Sequence, residues 1–319
     1  MSSGVPGGNT IWQNIGKMSN SGIEFSVNYA PIRTNDFSWD FSLNFSTNKN
    51  EVIALHPAVD AKGWGVESTK TPTITRAGDK LATFYLPEFA GIDTETGLAM
   101  IYERDATIYA TTGQTVRTGN KVPLTTITGA ANKFVQTGKS SMPDWYGGFN
   151  NEFKYKNFDL SINVTYSGGR YFINEAARQS RQLTGFYRLA DDIITNSWQN
   201  PGDVAEYPQL TLNGMVFSGV AGTPGVQAYG SATTQDLVSN DFIRVRFITF
   251  GYSLPANILN SLKINTLRFY ATVSNPFTFS NAPAEINPEM GIPGNIDGNM
   301  VNYGLAPIRY YSIGTSINF

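Results

Sequence analysis

Apolar and polar residues alternate with period two along several stretches of this chain. Each stretch reads as a strand with one greasy face and one polar face. Ile23, Phe25, Val27 and Tyr29 alternate with Glu24, Ser26, Asn28 and Ala30. A short Thr34-Asn35-Asp36 turn leads to Phe37, Trp39, Phe41, Leu43 and Phe45, interleaved with Ser38, Asp40, Ser42, Asn44 and Ser46. This predicts a tight hairpin with long strands. Phe149, Phe153 and Tyr155 approach a Lys156-Asn157 turn, after which Phe158, Leu160, Ile162, Val164 and Tyr166 keep the same beat. In a third hairpin the phase slips: Ile243, Val245 and Phe247 give way to Ile248, Phe250 and Tyr252. One extra residue near Phe247-Ile248 explains the slip, so a β-bulge is predicted there. Pro255 ends that strand, 256–262 suits a helical turn, and Leu267, Phe269, Ala271 and Val273 resume the alternation. Finally Tyr311, Ile313, Thr315, Ile317 and Phe319 oppose Ser312, Gly314, Ser316 and Asn318. Residues 10–18 begin a first strand, with a kink around 19–22.

The connections are of two kinds. Those after Arg33, Tyr155 and Leu254 are short, whereas 54–144, 168–240 and 275–307 are long and hold most of the proline. Helix-like spacing over Tyr171–Asn196 predicts a helix inside the second long one. Short turns on one side and long loops on the other, with a closing aromatic such as Phe319, are the pattern of an outer-membrane β-barrel. The expected fold is therefore all-β: about seven antiparallel strands of a transmembrane barrel, with periplasmic turns and extracellular loops. Lipid cannot satisfy an open sheet edge, and bacterial barrels use even strand numbers, so these strands should be part of a larger sheet. A soluble or surface β-rich glycan-binding module would share the alternation and the loop aromatics. It fits less well with apolar faces about ten residues long and with the terminal Phe319.

Composition narrows the classes. Charged residues make up 15% and aromatics 13%, and Lys+Arg 23 against Asp+Glu 25 argues against a nucleic-acid partner. No apolar run approaches the roughly twenty residues of a membrane helix. There is no Cys for disulfide or thiol chemistry. Met1 to Gly8 lacks the basic start and apolar core of an export signal, so an exported protein would have its natural N-terminus upstream.

Several motifs in order carry a family resemblance. Asn14-Ile-Gly-Lys-Met-Ser-Asn-Ser-Gly-Ile-Glu24, Ala90-Gly-Ile-Asp-Thr-Glu-Thr-Gly97, Tyr155-Lys-Asn-Phe-Asp-Leu160, Trp198-Gln-Asn-Pro-Gly-Asp203 and the strand Phe242 to Pro255 cover nearly the whole chain. Together they resemble the C-terminal region of SusC/RagA-type TonB-dependent outer-membrane transporters of Bacteroidota. Asn275-Pro-Phe277 and Asn287-Pro288-Glu289 depart from the family's usual Asn-Leu-Phe and Asp-Pro-Glu. The resemblance implies the last seven strands of a barrel of about twenty-two. The plug, the TonB box and the earlier strands would lie outside this chain. It further implies a Gram-negative outer-membrane location, a lipid bilayer around the wall and a SusD-like lid lipoprotein. Coupling to TonB-ExbB-ExbD would run through the plug region. The cargo would be oligosaccharide or peptide, with no cofactor and no enzymatic activity.

Candidate chemistry is sparse. His56 is the sole histidine and stands at a loop start, which suits a solvated residue better than a catalytic one. Asp93 and Glu95 before Gly97 fit a turn rather than a calcium loop, since the full EF-hand pattern is missing. Asp191-Asp192 reads as a helix cap or a solvated face, and no metal site is expected. Gly147-Gly148 fits a close backbone approach rather than a phosphate loop. Loop aromatics are the candidate substrate contacts, because flat rings suit sugar faces and apolar side chains. These are Trp64, Tyr85, Phe89, Tyr102, Tyr187 and Trp198. The competing reading makes them small cores that hold the loops together. Tyr311, Ile313, Ile317 and Phe319 form the C-terminal strand needed for barrel assembly. Trp39, Tyr166, Tyr252, Tyr310 and Tyr311 suit interfacial girdles. Arg244, Arg246 and Arg268 should face the lumen, where they either neutralise Glu24, Asp40 or Asp159, the preferred reading, or line a solute path.

Overall fold

The computed structural model describes residues 14–180, 191–209, 232–262, 264–283, 286–289, 300–301 and 308–319. Seven long strands form one antiparallel sheet: β1 (Glu24–Arg33), β2 (Phe37–Thr47), β3 (Trp145–Tyr155), β4 (Phe158–Gly168), β5 (Phe242–Ser253), β6 (Thr266–Ser280) and β7 (Tyr310–Asn318). Spatial order follows chain order, so each strand pairs only with its predecessor and its successor. The shortest has 9 residues and the longest 15. At roughly 3.3 Å per residue, that length crosses a hydrocarbon layer.

Register sorts the side chains into two faces. Phe153, Leu160, Phe250, Ala271 and Ile313 lie in one row across the sheet. The row of the opposite phase runs through Asn28, Ser42, Asn150 and Asn163. The apolar face has no cover: Ile313 is 89% exposed, Phe319 82% and Tyr311 74%. Aromatics band this face at both ends. Near the short turns Trp39 stacks on Phe153 at 5.7 Å and Phe158 meets Tyr252 at 4.8 Å; near the long connections Trp145 meets Tyr166 at 6.0 Å.

The phase slip in β5 is a bulge. Phe247 stands opposite Asn163 and Val245 opposite Val164, so the extra residue is Arg246, one position before the place the alternation suggested. β6 answers with an extra residue of its own, since Val245 and Phe247 face Phe277 and Ser274. The expected helical turn is present at Ala256–Leu262. Gly147 sits where strands approach closely: the Tyr166 hydroxyl reaches across it to donate to the Asn44 carbonyl at 2.7 Å, and a Cβ there would run into that carbonyl.

The first hairpin continues past the sheet as a two-stranded ribbon, Gly16–Ser21 against Lys49–Leu55. The break falls at Gly22-Ile23, where Ile23 N–H donates to Thr47 Oγ1 at 3.1 Å. Residues 10–13 of the expected first strand lie outside the described residues.

The long connections build small sheets of their own. Lys133–Ser140, Thr83–Pro87, Thr73–Thr75 and Val66–Glu67 form one, in that order. Arg117–Pro123, Ala99–Arg104 and Phe89–Ile92 form another. In a third, Tyr171–Asn174 pairs antiparallel with Leu237–Ser239 and parallel with Met300–Val301. Two small cores tie the connections to each other: Phe84, Leu86 and Ile173 join the first to the second, and Phe172, Ala282 and Ile286 join the second to the third. The helix expected over Tyr171–Asn196 therefore needs correction. Its first four residues are a strand, because Phe172 and Ile173 are buried on opposite faces. Helices follow at Glu175–Ser180 and Asp191–Thr195, and 181–190 lie outside the described residues. No described helix is long and apolar enough to cross a membrane.

Candidate functional site

The polar face of the sheet holds a cavity of about 910 Å³ toward the long connections. Its floor takes Asn28, Ser42, Asn44, Asn150, Asn163 and Thr165 from the polar phase of β1–β4, and Leu43, Met142, Phe149 and Val164 line it as well. Its rim carries Tyr146, Arg170, Phe242 and Glu289. The floor is legible in the alternation, but Arg170 and Glu289 come from connections, and no periodicity marks them.

Beside this cavity the β5 bulge gathers charge. Arg244 is 1% exposed. Its Nε donates to Thr278 Oγ1 at 3.1 Å and its Nη2 to Asn287 Oδ1 at 2.8 Å. Arg244 and Arg246 each take one carboxylate oxygen of Glu289. Asn240 Nδ2 donates to the Pro288 carbonyl at 2.7 Å, so Asn287-Pro288-Glu289 is pinned against the sheet. The expected arginine partners are thus partly corrected. Arg268 does pair with Asp159, Nε to Oδ1 at 2.9 Å and Nη2 to Oδ2 at 2.5 Å. Asp40 is taken by Arg33 at 2.8 Å, and Arg244 and Arg246 meet a carboxylate delivered by the third long connection.

The loop aromatics fall into separate places. Trp64 packs on Tyr109 at 5.5 Å, with Lys62 Nζ 4.2 Å from its ring. Tyr85 is buried in the same group: its hydroxyl accepts from Arg104 at 2.8 Å, and burial pushes its ionisation up. Phe89 packs on the Ala99, Ile101 and Leu124 core. Tyr102 carries the Arg117 guanidinium 3.9 Å from its ring. Trp198 is 7% exposed and donates from Nε1 to the Thr94 carbonyl at 2.8 Å. It lies on Gly97, whose φ of 66° is open to glycine and whose Cβ would come within 2.5 Å of the indole. Tyr187 lies outside the described residues. None of the five described aromatics lines the 910 Å³ cavity.

The other candidates are local structure. His56 is exposed, and its Nδ1 accepts from Ala58 N–H at 3.1 Å. Asp93 closes a turn: its Oδ1 accepts from Thr96 N–H at 2.8 Å and from Thr96 Oγ1 at 2.7 Å. Those bonds from Thr96 hold its carboxyl below the usual range. Asp191 and Asp192 occupy the first turn of a helix, where Asp192 accepts from the Tyr207 hydroxyl at 2.9 Å. Among the described residues no group of three or more His, Cys, Asp or Glu could hold a metal ion.

A sequential antiparallel sheet with strands of membrane-crossing length, an uncovered apolar face banded by aromatics and a polar face lined by amides is a section of a transmembrane β-barrel wall. No protein-family profile matches the chain. TonB-dependent receptor P39 of Formosa agariphila is 30% identical over 315 residues, which is 91% of this chain and 29% of that protein. TonB-dependent receptor SusC of Bacteroides thetaiotaomicron is 27% identical over 302 residues, 90% of this chain and 25% of SusC. Two structures share the fold. The RagAB peptide transporter superposes with a TM-score of 0.70 at 22% identity over 96% of this chain and 30% of the matched one. The RagAB peptide importer in its closed-closed state gives 0.71 at 23% over the same shares. The chain is thus related, along nearly its whole length, to SusC/RagA-type TonB-dependent receptors, and it spans less than a third of the length of these relatives.

Proposed function

We propose that this chain supplies wall and loops to an outer-membrane, TonB-dependent nutrient importer. The observation that carries this reading is the two-faced sheet: apolar residues face lipid, and the amide-lined face looks into the lumen. The wall is the C-terminal part of the barrel, the short turns lie in the periplasm, and the long connections 54–144, 168–240 and 275–307 are extracellular. Cargo is oligosaccharide or peptide. RagAB, which shares the fold, is a peptide transporter, and the resemblance to SusC-type receptors keeps oligosaccharide beside it. Trp64, Phe89, Tyr102 and Tyr187 offer rings to cargo, while Tyr85 and Trp198, both buried, hold the loops that present them. A SusD-like lipoprotein docks on the loops as a lid. TonB-ExbB-ExbD provides energy through the receptor's plug.

The test is uptake by cells. Cells carrying the polypeptide should accumulate a fluorescent oligosaccharide or oligopeptide, and deletion of residues 24–319 or loss of TonB should abolish this. Recovery of the protein from the soluble fraction without detergent would overturn the reading.

A further inference from the structure

We propose that the turn between β3 and β4 holds the phosphate of a membrane phospholipid, with Lys156 and Tyr252 as its donors; this rests on the outer-membrane reading above. A second cavity, of about 410 Å³, lies at the short-turn end of the wall. Among the described residues Lys156, Asn157, Phe158 and Tyr252 line it. Phe158 and Tyr252 stand opposite each other, 4.8 Å apart, in the apolar phase of β4 and β5. The cavity is therefore continuous with the face that meets lipid.

Lys156 turns to that face and not to the lumen. Its Nζ lies 5.5 Å from the ring of Tyr155, an exposed residue in the apolar phase of β3. The turn that carries it is fastened on two sides. Lys156 N–H donates to the Asp36 carbonyl at 2.8 Å, and Asn157 Nδ2 donates to the Ser253 carbonyl at 2.8 Å. Lys156 has a φ of 53°, a conformation that glycine adopts at less cost. A long cationic side chain thus stands, on a fixed base, where the backbone would favour none.

The free groups name the ligand. Among the described residues neither the Lys156 ammonium nor the Tyr252 hydroxyl has a hydrogen-bond or ion-pair partner, and no carboxylate lines the cavity. The acidic residues at this end of the wall lie elsewhere. Asp40 is taken by Arg33 and Asp159 by Arg268, while Glu152 accepts from Asn150 on the lumenal face. Asp36 gives its carbonyl to the turn and does not line the cavity. Two donors without acceptors, set beside paired rings, fit an anion with hydrocarbon behind it. Lysine binds phosphate as a point charge, and tyrosine rings sit at headgroup level in membrane proteins. An acyl chain would continue over Leu160 and Phe250, next in the same phase.

Photolabelling of the receptor polypeptide that contains this chain decides the matter, in dodecylmaltoside, which carries no phosphate. The probes are a phosphatidylglycerol with a diazirine in its acyl chain and the matching diacylglycerol, which lacks only the headgroup. Label on residues 158–160 is read against label on Ile313, which is exposed on the same face in β7. The expected ratio is about fivefold higher with the phospholipid. Lys156→Gln should erase the difference, Tyr252→Phe should roughly halve it, and Lys156→Arg should keep it. Lys154→Gln should leave it unchanged, because Lys154 lies in the lumenal phase opposite Ser38 and Asp159. Equal labelling by the two lipids, or a difference that survives in assembled Lys156→Gln, overturns the proposal. Should that variant fail to assemble, a difference unchanged by roughly 0.5 M salt overturns it equally. Displacement of the label by millimolar inorganic phosphate would reduce the cavity to a free-anion site. Displacement by lipid A but not by plain phosphatidylglycerol would turn this end toward the other leaflet; either result overturns it. Any of these results in a protein that still takes up its cargo sinks this inference alone, whereas recovery from the soluble fraction without detergent removes both.

Discussion

Trp39 Nε1 donates to Asn151 Oδ1 at 3.1 Å across the apolar face of the sheet. Asn151 stands in register between Phe41 and Ile162, on the side that meets lipid. An amide there has no water to bond, so the indole is its means of satisfaction. Trp39→Phe should therefore cost about 1–3 kcal/mol by leaving the amide unpaired. Adding Asn151→Leu should restore most of the loss. Urea unfolding of the refolded protein in lipid vesicles, read as a double-mutant cycle, checks this; simple additivity of the two changes would show that the bond contributes nothing.

Ile162 and Asn163 are neighbours in β4 on opposite faces, Ile162 beside Ile248 and Asn163 beside Phe247. Ile162→Arg puts a charge in lipid and should cost about 2–4 kcal/mol near the midplane. Asn163→Arg points to the lumen and should assemble normally. Heat-modifiable gel mobility of the two variants makes the comparison, and equal defects would contradict the assigned faces.

Trp198 joins two distant stretches of loop, 94–97 and 198–207. Trp198→Ala should cost about 3–5 kcal/mol locally and speed amide exchange across 93–98. Gly97→Ala should have a similar effect, from the same pocket seen from below. Hydrogen exchange by mass spectrometry separates this from a contact role, which would leave exchange in the free protein unchanged.

Asp93 predicts a pH dependence. Its carboxyl is depressed by bonds from Thr96. A depressed carboxyl stabilises the folded form above its unfolded value, and the contribution disappears as pH falls through the folded value. The Asp93–Gly97 turn should hold at neutral pH and loosen only below the ordinary carboxylate range. Proteolysis of the loop with an acid-active protease should rise there. Asp93→Asn should be loose at every pH and show no such step.

Most of the wall was legible in the sequence because one side of each strand faces lipid and the other water, and this imprints a period of two. Phe37 to Phe45 and Phe158 to Tyr166 show it without interruption. The bulge was legible to within one residue, since a change of phase marks a slip without naming which residue is extra. The small sheets in the connections were not legible. Thr83–Pro87 is buried throughout, so no face alternates. Of the candidate contacts, the burial of Tyr85 and Trp198 could not be read from residue type, because a ring that packs and a ring that binds look alike in sequence. The Glu289 partnership was hidden for another reason: it joins positions 43 and 45 residues apart through a connection whose path no local pattern encodes.

Sequential pairing has one more consequence. The six ladders of the wall join only strands adjacent in the chain, and the first long connection lends the wall no strand. That connection can be exchanged between relatives, cut after Leu55 and before Trp145, without shifting any register of the wall or of the ribbon Gly16–Ser21 against Lys49–Leu55. Recombination can therefore replace that segment while the seven-stranded frame stays as it was.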